Sequence, residues 1–202
     1  MACACALIAF TVAGCASGPI DMARAPAEQA GVIAEEAALR DTAGSLAAHV
    51  EAQGWTLTPP AGDAALSLLG RLIGGQGAPA DIGDPVEDYI NAATSPGRIS
   101  ADISDLGLKT LQVAVDAGAV AAAPVVLSLS ALERDIAAAE TALGAVRRAR
   151  AFFAEVSARA GTQADLLSEK LAELAAAETA LAEAADALAE RRWSRGSEPL
   201  SG

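Results

Sequence analysis

The feature that most constrains the fold is a pair of long, heptad-patterned segments near the carboxyl end of the chain, separated by Gly161. Apolar residues at spacings of four and three line one side of an α-helix and form the seam of a coiled coil. The first segment places them at Val125, Leu129, Leu132, Ile136, Ala139, Leu143 and Val146. The second places them at Leu167, Leu171, Leu174, Ala177, Leu181, Ala184 and Leu188. The sequence therefore predicts two long α-helices.

The break between these segments predicts how they pack. Gly161 favours the end of one helix, and Thr162-Gln163-Ala164-Asp165 resembles a capping box at the start of the next. Two long helices joined by so short a connection are expected to fold back as an antiparallel hairpin. Alanine at alternate seam positions allows the two helix axes to approach closely.

Further helices are predicted upstream. Leu39, Ala43, Leu46 and Val50 share one face of a helix that begins at Pro26 and ends near Gln53. Shorter helices are expected from Asp63 to Ile73 and from Asp84-Pro85 to about Thr94. After Ser95-Pro96-Gly97, another helix is expected over about residues 101–121. The uncharged stretch over residues 117–130, interrupted by Pro124, favours a buried helix pair over a membrane span.

Composition narrows the architecture. Hydrophobic residues make up 52% of the chain but aromatic residues only 3%, because alanine supplies much of the apolar content. Few large side chains are left to fill a sandwich or a barrel. We therefore expect an all-α, alanine-rich helical bundle over residues 26–193, with Trp193 closing its last helix and a disordered tail over residues 194–202.

Charge and metal-binding residues exclude several functions. The net charge of −12 disfavours binding to nucleic acid, and it disfavours adsorption of the bare polypeptide to anionic lipid. The cysteines, Cys3, Cys5 and Cys15, all lie at the start of the chain, so a disulfide within a folded domain is not expected. With His49 as the only histidine, a nitrogen- or sulfur-ligated metal site is not expected either. We expect no cofactor.

The amino-terminal segment carries a targeting pattern. Residues 6–12, ALIAFTV, form an apolar run that is too short to span a bilayer but typical of a signal peptide. Val12-Ala13-Gly14-Cys15 follows it: an aliphatic residue, two small residues and a cysteine. This motif resembles the lipobox of bacterial lipoproteins, although no Lys or Arg precedes the apolar run, as expected if translation starts further upstream.

The resemblance implies a location. Residues 1–14 would be the signal peptide, and Cys15 would become the lipidated amino terminus. Residues 15–25 would form a tether between the lipid and the bundle. Ala16, rather than Asp, follows the cysteine, which implies sorting to the outer membrane, facing the periplasm. Three acyl chains would hold such a protein firmly on the membrane, since two membrane-binding signals already anchor stably.

Several patterns could carry chemistry, and each has a simpler structural interpretation. Ser45 and His49 share a helix face but have no oxyanion loop beside them. The acids between Asp81 and Asp88 suit helix starts better than a calcium loop. The glycines over residues 70–77 lack a following Lys-Ser or Lys-Thr pair. The basic residues Arg147, Arg148, Arg150 and Arg159 are typical of a solvated helix face.

These observations favour a cell-envelope lipoprotein that acts as a membrane-anchored helical scaffold or accessory protein, without catalytic activity and with a protein partner in the envelope. An alternative is a periplasmic module that binds a small apolar or peptide ligand between its helices. Its cavity would be lined by Trp55, Phe152, Phe153 or Trp193. A third hypothesis is an enzyme centred on His49 or on the carboxylates of residues 81–88.

Overall fold

Five α-helices form the described part of the chain. The computed structural model describes residues 25–53, 55, 85–93, 96–125, 127–160 and 164–196, and it contains no β-strand within those ranges. The predicted all-α class is therefore confirmed. The helices are α1 (Ala25–Ala52), α2 (Pro85–Ala92), α3 (Pro96–Ala122), α4 (Leu129–Arg159) and α5 (Ala164–Gly196).

The four long helices form a bundle in which chain neighbours are not always spatial neighbours. α3 packs most extensively on α5, α4 packs on both α5 and α1, and α1 also packs on α3. α3 and α4 contact each other far less and occupy a diagonal of the bundle. The connection from α3 to α4 therefore crosses the end of the bundle.

Polar contacts between helices define their directions. Arg147, in the middle of α4, contacts Glu178 in the middle of α5, whereas Glu133 near the start of α4 contacts Arg192 near the end of α5. These two helices are antiparallel, as the hairpin pattern around Gly161 predicts. Gly161 lies outside the described residues, between the last residue of α4 and the first of α5.

α1 runs parallel to α4 and antiparallel to α3. Arg40 lies beside Asp135 at the early end of α4, and Trp55, just after α1, packs on Phe153 near the late end of α4. Against α3 the order reverses, because Thr42 contacts Asp116 while His49 contacts the earlier residue Asp105.

Local chemistry explains where the helices begin. Pro85 starts α2, as predicted, because a helix does not need the N–H that proline lacks in its first turn. For the same reason Pro96 starts α3, about five residues before the predicted start. At α4, the Ser128 hydroxyl accepts a hydrogen bond from the Ala131 N–H at 3.2 Å and caps the start of the helix.

The core confirms the α1 and α5 stripes and modifies the α4 stripe. Leu39, Leu46, Leu174 and Leu181 are fully buried. On α4 the buried face is wider than a two-helix seam, because this helix contacts α1, α2, α3 and α5. It includes small residues and one acid: Ala131, Asp135, Ala139, Ala142, Ala145 and Ala149. The predicted seam residues Ile136 and Leu143 are half-buried, and Leu129 is exposed.

An aromatic cluster closes the end of the bundle where α1 finishes. Trp55, Tyr89, Phe152 and Phe153 pack edge to face, with ring centroids 4.6 Å apart for Trp55 and Phe153. Tyr89 belongs to α2 and donates a hydrogen bond from its hydroxyl to Asp102 of α3 at 2.6 Å. The cluster therefore attaches the short helix α2 to the bundle.

Some predictions concern residues outside the described ranges or at the end of the last helix. The signal-peptide pattern over residues 1–14, most of the tether and the helix expected from Asp63 to Ile73 lie outside the described residues. At the other end, α5 continues to Gly196, so it includes the first three residues of the segment predicted to be a disordered tail. None of the helices that the structure describes combines the length and apolar character needed to traverse a bilayer.

Candidate interaction surface

Helix α3 carries two apolar stripes on different sides, both with heptad spacing. The inner stripe supplies the core, with Ile99, Ile103, Leu106, Thr110, Val113, Ala117 and Val120, and all seven side chains are buried. The second set, at Ala101, Ser104, Leu108, Leu111, Val115, Gly118 and Ala122, contains no charged residue. We call this second set the outer stripe.

The outer stripe faces away from the core. Leu108 is 68% exposed, Val115 is 65% exposed and Leu111 is 43% exposed. Large apolar side chains of such exposure occur at six positions in the described part of the chain, and three of the six belong to this stripe. Scattered exposed leucines are ordinary in soluble proteins, but a contiguous row marks a binding surface.

A polar network separates the outer stripe from α1. Lys109 donates to Asp105 at 2.7 Å, and its ammonium lies 3.2 Å from Nδ1 of His49. Two turns further on, Asp116 accepts hydrogen bonds from Thr42 at 3.2 Å and from Gln112 at 2.8 Å. The charges next to the stripe are thus paired with α1 or with one another, and the stripe itself remains uncharged.

A shallow groove adjoins the end of the stripe. It has a volume of about 340 Å³ and lies between the start of α1 and the end of α3, where Val32 and Ala122 line it. Ala122 is also the last residue of the outer stripe. Ile33, which follows the groove-lining Val32, is 58% exposed. Glu28 and Glu35 also line the groove, so the outer stripe meets a mixed apolar and acidic surface at the beginning of α1.

The chemistry of this surface suits recognition of another helix. Side chains repeating every three and four residues offer knobs and holes to a partner helix with the same repeat. The row contains only aliphatic, small and hydroxyl side chains. It therefore supplies shape and apolar area but no acidic or basic side chain.

The residues predicted to direct processing and lipidation are not part of this surface. Val12, Ala13, Gly14 and Cys15 lie outside the described residues. So do the glycine-rich residues 70–77, as well as Asp81 and Asp84. Glu87 and Asp88 are exposed in the first turn of α2, where carboxylates complement the helix dipole. Within the described ranges, no three His, Cys, Asp or Glu side chains come together as metal ligands.

His49 lies at the border of the outer stripe. It is half-buried, its Nε2 lies 3.4 Å from an oxygen of Asp105, and its ring packs edge-on against Trp55. His49 is thus a partly exposed helix residue that tertiary contacts surround with polar and aromatic groups. Ser45, the suggested nucleophile, is exposed one turn earlier on α1.

The basic stretch of α4 is largely paired. Arg147 contacts one oxygen of Glu178 at 3.1 Å, and Arg150 contacts the other oxygen. Arg159 pairs with Glu155. Arginine side chains from α4 therefore tie this helix to α5, which adds a helix-pairing role to the solvated face that the sequence predicted.

Three of the aromatic residues proposed to line a ligand cavity are packed in the core instead. Trp55, Phe152 and Phe153 are each at most 1% exposed and pack on one another in the core. The side chain of Trp193 lies outside the described part. A groove of about 360 Å³ between α1 and α4 is lined instead by arginine, threonine and small side chains: Arg40, Ala43, Gly44, Arg134, Ala137, Ala138 and Thr141.

Two features of the structure were not predicted from the sequence. The outer stripe could have been found, because α3 contains two interleaved heptad sets rather than one. The burial of Asp135 had no local signal, since an acid within a long helix is normally solvated.

Comparison of this chain with protein-family models, with curated proteins and with solved structures finds no match.

Proposed function

We propose that this protein is a lipid-anchored helical scaffold of the bacterial cell envelope, without catalytic activity, that holds a partner protein at the outer membrane. The observation that carries the proposal is the outer stripe of α3. An uncharged heptad row, exposed on a helix whose opposite side already serves the core, is best explained by a second helix that covers it.

The amino-terminal motif supports the envelope location. A cysteine after an aliphatic residue and two small residues, close behind a short apolar run, fits lipid attachment at Cys15. Attachment to a membrane would confine the bundle to a surface and raise the effective concentration of a partner confined there. A modest apolar contact would then suffice for stable association.

The location is tested by Cys15→Ser. We expect the wild-type chain to incorporate a radiolabelled or clickable fatty acid and to sediment with outer membranes, and the variant to lose both properties. A wild-type chain that takes no label and starts at another residue in its mature form would refute lipid anchoring.

The interaction is tested by site-specific photocrosslinking in cells. A photoreactive amino acid at Gln112, next to the stripe, should give a defined adduct with a partner protein. The double substitution Leu108→Glu/Val115→Glu should abolish the adduct. Leu129→Glu is the matched control, because Leu129 is 52% exposed but belongs to α4. An adduct unaffected by the double substitution would refute the proposed surface.

One observation favours a second candidate function. Asp105 and Lys109 converge on His49, as an enzyme centred on this histidine would require. Such an enzyme predicts that His49→Ala abolishes cellular function while the protein stays folded and still binds its partner. The scaffold predicts that this variant retains function.

A further inference from the structure

Asp135 is a charged residue in an apolar setting. It lies on the inner face of α4, and its side chain is 0% exposed. Its immediate surroundings on α4 are the buried alanines and leucine of the core, among them Ala131, Leu132 and Ala139. Neither of its carboxylate oxygens has a hydrogen-bond partner among the described residues. A buried ionised carboxylate in this position is strongly disfavoured.

The closest cation does not fully compensate for this burial. A terminal nitrogen of Arg40 lies 3.7 Å from Oδ1 of Asp135, which is beyond hydrogen-bonding distance. The same arginine is held more tightly by Glu36, one turn earlier on α1. Arg134 lies 3.7 Å from Glu36 and is itself largely exposed. The two acids therefore compete for one arginine at the α1–α4 junction.

Charged groups on the remaining neighbours are held elsewhere. From α5, Arg191 donates to backbone carbonyl oxygens at the end of α3 and in the connection that follows it, and Arg192 pairs with Glu133. From α3, Asp116 accepts from Thr42 and Gln112. The electrostatic environment of Asp135 is thus set by Glu36, Arg40 and Arg134.

We propose that Asp135 makes the junction between α1 and α4 proton-linked: α1 is held most firmly when this carboxyl is protonated and is loosened when it ionises. Helix α1 is the first described helix after Cys15 in the chain. The attachment of α1 to the rest of the bundle therefore depends on external pH. The proposal does not depend on the lipid anchor or on the outer stripe.

The titration of Asp135 supports this geometry and sets the sign. Burial, followed by the charge of Glu36, raises the pKa of Asp135 from 3.8 to about 6, against the opposing effect of Arg40 and Arg134. The folded chain then binds the proton more tightly than the unfolded chain. The resulting stabilisation is complete below about pH 4 and is lost as the pH rises through about 6. A shift of this size corresponds to about a hundredfold change in the unfolding equilibrium constant.

The proposal is tested by carbon-13 NMR titration of the aspartate carboxyls in the full chain. We expect the Asp135 resonance to titrate near pH 6. Glu36→Gln should lower the midpoint, because it removes the neighbouring negative charge, and Arg40→Gln should raise it. Asp186→Asn is the control and should leave it unchanged. A midpoint near pH 4, or one that Glu36→Gln leaves unchanged, would overturn the proposal.

Hydrogen exchange tests the consequence for α1. After correction for intrinsic exchange, amides of α1 should lose protection between about pH 4 and about pH 7 by up to about a hundredfold, more than those of α5. Asp135→Asn should remove this difference between the helices. If that variant does not fold, Glu36→Gln should shift the transition in α1 to lower pH. Equal pH dependence of α1 and α5 in the wild type would refute the link.

Discussion

Arg191 of α5 donates hydrogen bonds to the backbone carbonyl oxygen of Val120, near the end of α3, and to that of Val125, within the crossover from α3 to α4. It also reaches the carbonyl of Ala121 at 3.3 Å. The last carbonyls of a helix have no partner within the helix, and a cation there complements the helix dipole. A side chain from α5 thus caps α3 and holds the connection that crosses the bundle diagonal.

Arg191→Met should lower the free energy of unfolding by about 1.5–3 kcal/mol, because part-buried carbonyls lose a charged donor. Chemical denaturation measures this loss. Arg192→Met is the matched control: its exposed pair with Glu133 should contribute less than about 1 kcal/mol. Equal effects of the two substitutions would show that the capping contacts do not stabilise the crossover.

The α4–α5 hairpin predicts unequal effects for two leucines on its helices. Leu181→Ala should cost about 2–5 kcal/mol, because Leu181 is fully buried and truncation leaves a cavity. Leu143→Ala should cost less, since Leu143 is only half-buried at the edge of the core. Thermal and urea denaturation of both variants test this order. A larger effect at Leu143 would mean that α4 presents the coiled-coil seam to α5 after all.

The buried, hydrogen-bonded position of Tyr89 predicts that the protein loses stability in alkaline solution. Burial and the hydrogen bond to Asp102 raise the pKa of Tyr89 well above its ordinary value of 10.0. Stability from this shift is present below about pH 10 and is lost as the pH rises further, because the unfolded chain ionises first. Tyr89 is the only tyrosine, so tyrosinate absorbance reports it directly. Tyr89→Phe should remove this dependence; tyrosinate formation near pH 10 in the folded wild type would contradict it.

His49 predicts a modest loss of stability. His49→Ala should cost about 1 kcal/mol, because it removes the edge-on contact with Trp55 and the polar contacts to Lys109 and Asp105. Ser45→Ala, at an exposed position on the same face, should stay within about 0.5 kcal/mol of the wild type. Calorimetry of the two variants measures both values, and equal melting temperatures would place His49 outside the packing of the bundle.

Most of the helices could be predicted from the sequence because their signals are local. Pro85 starts α2, the region of Gly161 separates α4 from α5, and the leucine spacing of α5 identifies its buried face. Such signals depend on residues a few positions apart. Predictions based on them fail mainly at boundaries, as at Pro96, where α3 begins about five residues before its predicted start because proline also suits the first turn of a helix.

The sequence by itself determined that the chain folds as alanine-rich helices with a hairpin at the carboxyl end, since periodicity and helix breakers act along the chain. The tertiary structure alone decided that α3 lies beside α5 and diagonal to α4, because that choice depends on how whole faces fit together. The same packing turned Leu129 outward, buried Asp135 and left one of the two stripes of α3 exposed. Two stripes of equal spacing look alike in a sequence, and only the positions of the neighbouring helices determine which one enters the core.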